Sequence, residues 1–291
     1  MFKGSLVALV TPMLAGGEID YAKLEKLIDF HITQGSNGLV IAGTTGESAT
    51  LDFDEHCEFL NRSREMINQR IPMIAGTGAN STSEAIHLTR CAKDAGADAA
   101  LLVTPYYNKP TQHGLYLHHK AIADAVELDQ LLYNVPGRTA CDMLPATVQL
   151  LSQVKNIIGI KEATGDLERL RQIQELVSDD FNLLSGDDAT TCDFILQGGH
   201  GSISVTANVA PAQMAAMCSA ALAGQSEQAE AIDQQIADLH RVLFVEANPI
   251  PVKWAVHKMG YCDNVLRLPM TTLADEYQDE VLNALEAAGI L

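Results

Sequence analysis

Basic residues are scarce in this chain. Lysine and arginine number 19 against 37 Asp and Glu, giving a formal net charge of −18 and a pI near 4.7. Nucleic acids and anionic membrane surfaces repel such a chain and are poor partners. An anionic small substrate would need locally placed Arg or Lys, so each basic residue in apolar surroundings is informative. Long hydrophobic runs are also missing: no apolar stretch reaches the roughly 18 residues of a membrane span. The apolar start, Met1 to Leu14, carries one Lys and is interrupted by Pro12. A helical pattern follows from Asp20, so the start reads as a first strand and not as a signal peptide.

Other absences narrow the chemistry. The six cysteines (Cys57, Cys91, Cys141, Cys192, Cys218 and Cys262) include no C-x-x-C pair. They read as small buried hydrophobes in a reducing, cytoplasmic setting, not as a disulfide framework. Gly43-Thr44-Thr45-Gly46-Glu47 lacks the Lys-Ser/Thr that completes a phosphate loop, and Gly76 to Ser81 does not spell G-x-G-x-x-G. His113, His118 and His119 share one helical stretch but no zinc spacing, and solvated positions are expected for them. Asp187 and Asp188 could bind a cation, but capping of the next helix is the simpler expectation. No metal site is expected. No Pro/Gly/Ser-rich linker or low-complexity tract divides the chain.

Apolar residues make up 47%, enough for a sizeable core, and at 19% charged residues the chain does not look disordered. Eight short runs rich in Val, Ile and Leu recur: Ser5–Pro12, Gly38–Gly43, Pro72–Gly78, Ala99–Pro105, Gln130–Pro136, Ile157–Ala163, Phe181–Asp188 and Gly201–Asn208. Near-continuous hydrophobicity marks strands buried on both faces, as parallel strands are. Amphipathic helical stretches lie between them. Asp20 is placed to cap one that stops at Gly35, Ser81 and Glu84 form a capping-box pattern before Gly96, and Asp166 to Val177 repeats the theme. Eight β-then-α units predict an α/β fold, a (β/α)8 TIM barrel over residues 1–224. A doubly wound sheet is the alternative, but it needs fewer strands and often a Gly-rich nucleotide loop. After Asn208 only helical patterns follow, and residues 225–291 are expected to form a C-terminal helical domain.

In such a barrel the chemistry sits at the C-terminal ends of the strands. Lys161 stands out there because it ends the apolar run Ile157-Ile158-Gly159-Ile160. Burial without a partner should lower its pKa and free an amine that attacks a carbonyl to give a Schiff base. The plain alternative is a strand-end Lys paired with Glu162 or reaching solvent. Tyr133 lies one strand earlier, where a phenol can shuttle protons if Thr44 and Tyr107 link it to water. Arg138, in the loop after the fifth strand, suits bidentate capture of a substrate carboxylate, although a loop Arg can simply pair with a surface acid.

At these same residues the chain resembles the bacterial dihydrodipicolinate synthase family of class I pyruvate-dependent aldolases. The likeness spans essentially the whole chain and is carried by GTTGESATL (Gly43–Leu51), VTPYYNKP (Val103–Pro110), LLYNVPGRTACD (Leu131–Asp142) and IIGIKEATGD (Ile157–Asp166). The resemblance implies a lyase of lysine biosynthesis by the diaminopimelate route, with pyruvate and L-aspartate 4-semialdehyde as substrates and no metal or organic cofactor. Lys161 would form the imine, and Tyr133, Thr44 and Tyr107 would relay protons. Tyr107 would be lent across a subunit interface of a homotetramer, a dimer of dimers. Thr45, Gly186 and the backbone at Ile203 would hold pyruvate, and Arg138 the semialdehyde carboxylate. The resemblance further implies an L-lysine feedback site at Ser48, Ala49, His56, Asn80, Glu84 and Tyr106. Phe53 departs from the His common in lysine-sensitive relatives, which points to weaker inhibition. Within the same fold, N-acetylneuraminate lyases and 2-keto-3-deoxy sugar-acid aldolases share the Lys and Tyr, and Arg138 argues against them. A catalytically silent barrel is the rival from another class, and the intact Lys161, Tyr133, Thr44 and Tyr107 speak against it.

Overall fold

A computed structural model describes all residues, 1–291. Eight parallel strands close in sequence order into a barrel: β1 (Gly4–Ala8), β2 (Gly38–Ile41), β3 (Met73–Gly76), β4 (Ala99–Val103), β5 (Gln130–Asn134), β6 (Ile157–Glu162), β7 (Asn182–Ser185) and β8 (Gly201–Ser204). Each falls inside or within one residue of an apolar run of the sequence. Each is also shorter than its run, because the residues at the C-terminal end of the run leave the ladder to become loop. The register sets Lys161 on β6 directly between Tyr133 on β5 and Leu184 on β7.

Helices α1 (Tyr21–Thr33), α2 (Phe53–Ile67), α3 (Thr82–Asp94), α4 (Gln112–Ala125), α5 (Pro136–Thr139), α6 (Pro145–Leu151), α7 (Leu167–Gln174), α8 (Thr191–Leu196) and α9 (Pro211–Leu222) follow the strands. Asp20 caps α1 through the Lys23 amide at 3.0 Å, and Asp166 caps α7 through the Glu168 amide at 3.0 Å. Ser81 does not cap α3 with its side chain. Its hydroxyl lies 3.0 Å from that of Ser83. The chain ends in α10 (Ser226–Val242), α11 (Ile250–Lys258) and α12 (Asp275–Ala287). No helix is long and apolar enough to cross a membrane.

Strand alternation divides the interior in two. Leu6, Val40, Ile74, Leu101, Leu131, Leu184 and Ile203 pack with Tyr133 in one cluster. Val7, Leu39 and Ile41 join a much larger one that runs through α9 to Ile236, Trp254 and Leu285 of the last three helices. Burying each such aliphatic side chain contributes about 1.5–3 kcal/mol. The C-terminal helices therefore share a core with the barrel, and their connections reach the catalytic end.

Two further sequence expectations are corrected. Cys57 and Cys91 are not buried hydrophobes; they are joined in a disulfide between α2 and α3. The other four cysteines are free and buried, as expected. His118 and His119 are buried, not solvated. With Leu115 and Ile122 they form the inward stripe of α4 at spacings of three and four residues. Burial lowers the pKa of His118 to about 4, and burial together with the neighbouring His118 holds that of His119 well below the usual imidazole value.

Candidate active site

Strand β6 points Lys161 into the barrel mouth, where it is only 5% exposed. Its ammonium makes no ion pair. The Glu162 carboxylate, one residue on, faces the opposite side of the sheet and accepts from Asn134 at 3.1 Å and from the Thr164 amide at 2.8 Å. The alternative in which Glu162 neutralises Lys161 is thereby removed. Burial pulls the Lys161 pKa down to about 8. The Asp188 carboxylate opposes this and the Arg138 guanidinium adds to it. Lys161 Nζ stands 4.3 Å from the centre of the Tyr133 ring. Burial raises the Tyr133 pKa, against which Arg138 and the Thr44 hydroxyl act.

These groups share a cavity of about 140 Å³. Its walls include Thr44, Thr45, Tyr133, Arg138, Lys161, Gly186 and Ile203, seven of the eight residues assigned above to catalysis and substrate binding. Gly186 is required by space. A Cβ there would lie 2.7 Å from Lys161 Cε and 2.6 Å from Ala163 Cβ. The eighth, Tyr107, is not brought in. It lines no part of this cavity, its side chain is 89% exposed, and its backbone is held at φ 74°.

A second cavity, of about 270 Å³, adjoins the first and shares Thr44, Ser48, Gly78, Val103, Val135 and Arg138 with it. It gathers Ser48, Ala49, His56, Glu84 and Tyr106, with Phe53 on the wall. Asn80 lies outside it and donates to the Tyr106 carbonyl at 3.4 Å. The His56 Nε2–H donates to the Gly76 carbonyl at 2.9 Å, and burial lowers its pKa.

The sequence of the dihydrodipicolinate synthetase family matches residues 1–288. The chain belongs to that family. It is 60% identical over 291 residues to 4-hydroxy-tetrahydrodipicolinate synthase of Stutzerimonas stutzeri, with the whole of both chains covered. It is also 60% identical to the enzyme of that name from Thioalkalivibrio sulfidiphilus, covering 100% of this chain and 99% of that one. Among solved structures it superposes on the chloride-inhibited dihydrodipicolinate synthase of Acinetobacter baumannii complexed with pyruvate. The TM-score is 0.99 at 53% identity over the full length of both chains. The lysine-bound synthase of Cyanidioschyzon merolae gives 0.96 at 40% identity, covering 100% of this chain and 99% of that one.

Several groups that line or brace this cavity carry no signal in the sequence. Asn248 lines the Lys161 cavity from the C-terminal region. Its Nδ2 donates to Thr45 Oγ1 at 2.9 Å and its carbonyl accepts from Arg138 at 3.3 Å. Arg138 thus pairs with no surface acid. Lys253, wholly buried, pairs with Glu47 in the loop that carries Thr44 and Thr45. Asp142 binds the Arg169 guanidinium through both oxygens at 2.9 Å and accepts from Asn134, bracing the Arg138 loop. Asp187 caps the following turn through Thr190, as expected. Asp188 does not. It accepts from the Val205 and Thr206 amides at 2.9 and 2.8 Å and fixes the end of β8. Lys161 was legible because it breaks an apolar run. Asn248 carries no comparable signal.

Proposed function

We propose that the chain is a lyase that condenses pyruvate with L-aspartate 4-semialdehyde to 4-hydroxy-tetrahydrodipicolinate, the first committed step of lysine synthesis through diaminopimelate. The observation that carries this reading is Lys161, an unpaired, buried amine beside a phenol and within reach of a guanidinium's field. The neutral amine adds to the pyruvate carbonyl, and Tyr133 supplies the proton with which the hydroxyl leaves as water. The resulting imine loses a methyl proton to give an enamine, whose carbon attacks the aldehyde. The amino group of the adduct then attacks the imine carbon, closes the ring and releases Lys161. Thr45, Gly186 and the Ile203 backbone seat the pyruvate, and Arg138 takes the second carboxylate. Arg138 also favours this substrate over the polyol tail of a sugar acid.

Tyr107 completes the proton relay from a neighbouring subunit of a homotetramer. A tyrosine held in the left-handed region at a cost of about 1–3 kcal/mol, with its ring in solvent, is explained by such a partner. Residues 1–224 act as the catalytic barrel, and residues 225–291 as a helical domain that fixes its mouth through Asn248 and Lys253. The second cavity takes L-lysine, with Glu84 pairing to its amine. The enzyme works in the cytoplasm. Borohydride reduction with pyruvate should add a stable mass at Lys161, and the untreated enzyme should consume semialdehyde in preference to sugar acids. An adduct that survives Lys161→Ala, or none at all, overturns the mechanism.

A further inference from the structure

Cys57, Cys91 and His87 lie outside the chemistry described so far. The cysteines join the facing sides of α2 and α3, with Cα atoms 5.4 Å apart. His87 stands one turn before Cys91 on α3, its Nε2 3.9 Å from the Cys91 sulfur. All three donor atoms lie within 4.8 Å of one another. Tetrahedral zinc, with Zn–S about 2.3 Å and Zn–N about 2.0–2.1 Å, holds such donors roughly 3.5–3.8 Å apart. The imidazole is already near that spacing. Only the two bonded sulfurs must separate, and side-chain rotation can achieve this without moving either helix. His87 is exposed and both cysteines are partly exposed, so an ion has a path in.

We propose that, once the disulfide is reduced, Cys57, His87 and Cys91 form a Zn2+ site with water as the fourth ligand. A dithiol donates two electrons and two protons to the Cys57–Cys91 bond and is itself oxidised to a disulfide. Each freed thiol then loses its proton as it binds the ion. Two thiolates and an imidazole are a soft donor set that selects zinc over magnesium or calcium. Disulfide and metal are mutually exclusive, so α2 is clasped to α3 in either redox state, by Cys57 and Cys91 alone when oxidised and together with His87 when reduced. The clasp bears on the second cavity. Phe53, on its wall, meets the His87 ring edge-on at 5.7 Å, and Leu88 follows His87 into its lining.

The test uses full-length protein reduced with a phosphine, freed of metal without oxygen, and titrated with Zn2+ against a chromophoric chelator. Co2+ is titrated in parallel to read thiolate-to-metal charge transfer. The expected result is one equivalent per chain, lost in Cys91→Ser, weakened at least tenfold in His87→Ala, and absent from the disulfide form. No stoichiometric binding by the reduced protein overturns the proposal, as does binding that survives Cys91→Ser or that the disulfide form shares. His87→Ala leaves both cysteines intact, so its weakened affinity can be read even if Cys91→Ser folds poorly.

Discussion

Lys253 and Glu47 form an ion pair with 0% and 1% side-chain exposure, joining α11 to the loop after β2 across 206 residues of sequence. Glu47 also accepts from the Arg267 amide at 3.1 Å, so the C-terminal region holds this carboxylate from two sides. Its backbone sits in the left-handed region at φ 60°, immediately after Thr45 and Gly46. Removing one partner strands a buried charge, which costs about 3–5 kcal/mol. Lys253→Met should therefore lower the thermal midpoint strongly. The double variant with Glu47→Gln should recover much of the loss, because the amide still accepts from Arg267. Differential scanning of the single and double variants checks this.

The proposed imine chemistry at Lys161 carries a pH dependence set by the environment of that amine. With its pKa near 8, the amine should gain nucleophilicity as pH rises through that value. Asp188 holds the ammonium form in place, so Asp188→Asn should move the midpoint to lower pH. The amide oxygen can still accept from Val205 and Thr206. Stability runs the same way. The native amine binds its proton less tightly than the unfolded one, whose pKa is near 10.5. Lys161 thus lowers stability below pH 8, and this penalty is relieved between about 8 and 10.5. Single-turnover borohydride trapping across pH reads the first effect. A midpoint unmoved by Asp188→Asn would contradict it.

Gly186→Ala should impair the lysine more than the fold. The added methyl meets Lys161 Cε and Ala163 Cβ well inside contact distance. Overpacking of this kind costs about 1–3 kcal/mol. Here most of it is expected as a displaced amine, with pyruvate trapping slowed at least about tenfold. Rapid-quench trapping beside a melting curve separates the two effects.

The barrel was legible because parallel strands buried on both faces must be apolar, and all eight runs became strands. The meeting of Lys161 and Tyr133 in one cavity was legible because each stands in such a run near its C-terminal end. His118 and His119 were legible in principle. They complete the Leu115–Ile122 stripe at helical spacing, and that period outweighs the polarity of the imidazole. Asn248, Lys253 and Arg267 hold the Thr45–Glu47 loop from more than 200 residues away, so no local pattern could announce them. The Cys57–Cys91 bond is similar. Its spacing of 34 residues means nothing until α2 and α3 become neighbours.

The proposed placement of Tyr107 in a neighbour's site predicts complementation. Tyr107→Ala leaves Lys161 intact, and Lys161→Ala leaves Tyr107 intact. Each alone should lose about 100-fold or more in kcat. Subunit exchange between the two inactive proteins should restore activity well above the sum of the parents, since some sites then combine both native residues. If Tyr107 served its own chain, no mixed site could hold both and mixing would restore nothing.

The lysine feedback proposed for the second cavity should turn on Phe53. This ring lines the second cavity, 48% exposed, and offers no hydrogen bond to a ligand's carboxylate. An imidazole would offer an N–H donor, and a charge-assisted bond of about 1.5 kcal/mol corresponds to roughly tenfold in affinity. Phe53→His should therefore lower the half-inhibitory lysine concentration about tenfold, while Glu84→Gln, which removes the counter-charge for the amine, should raise it. Thr44 and Arg138 line both cavities, so the inhibition should appear in kcat as well as in KM. Initial rates titrated with lysine read all three. A wild-type response that stays flat into the millimolar range would remove lysine from the second cavity while leaving the Lys161 mechanism intact.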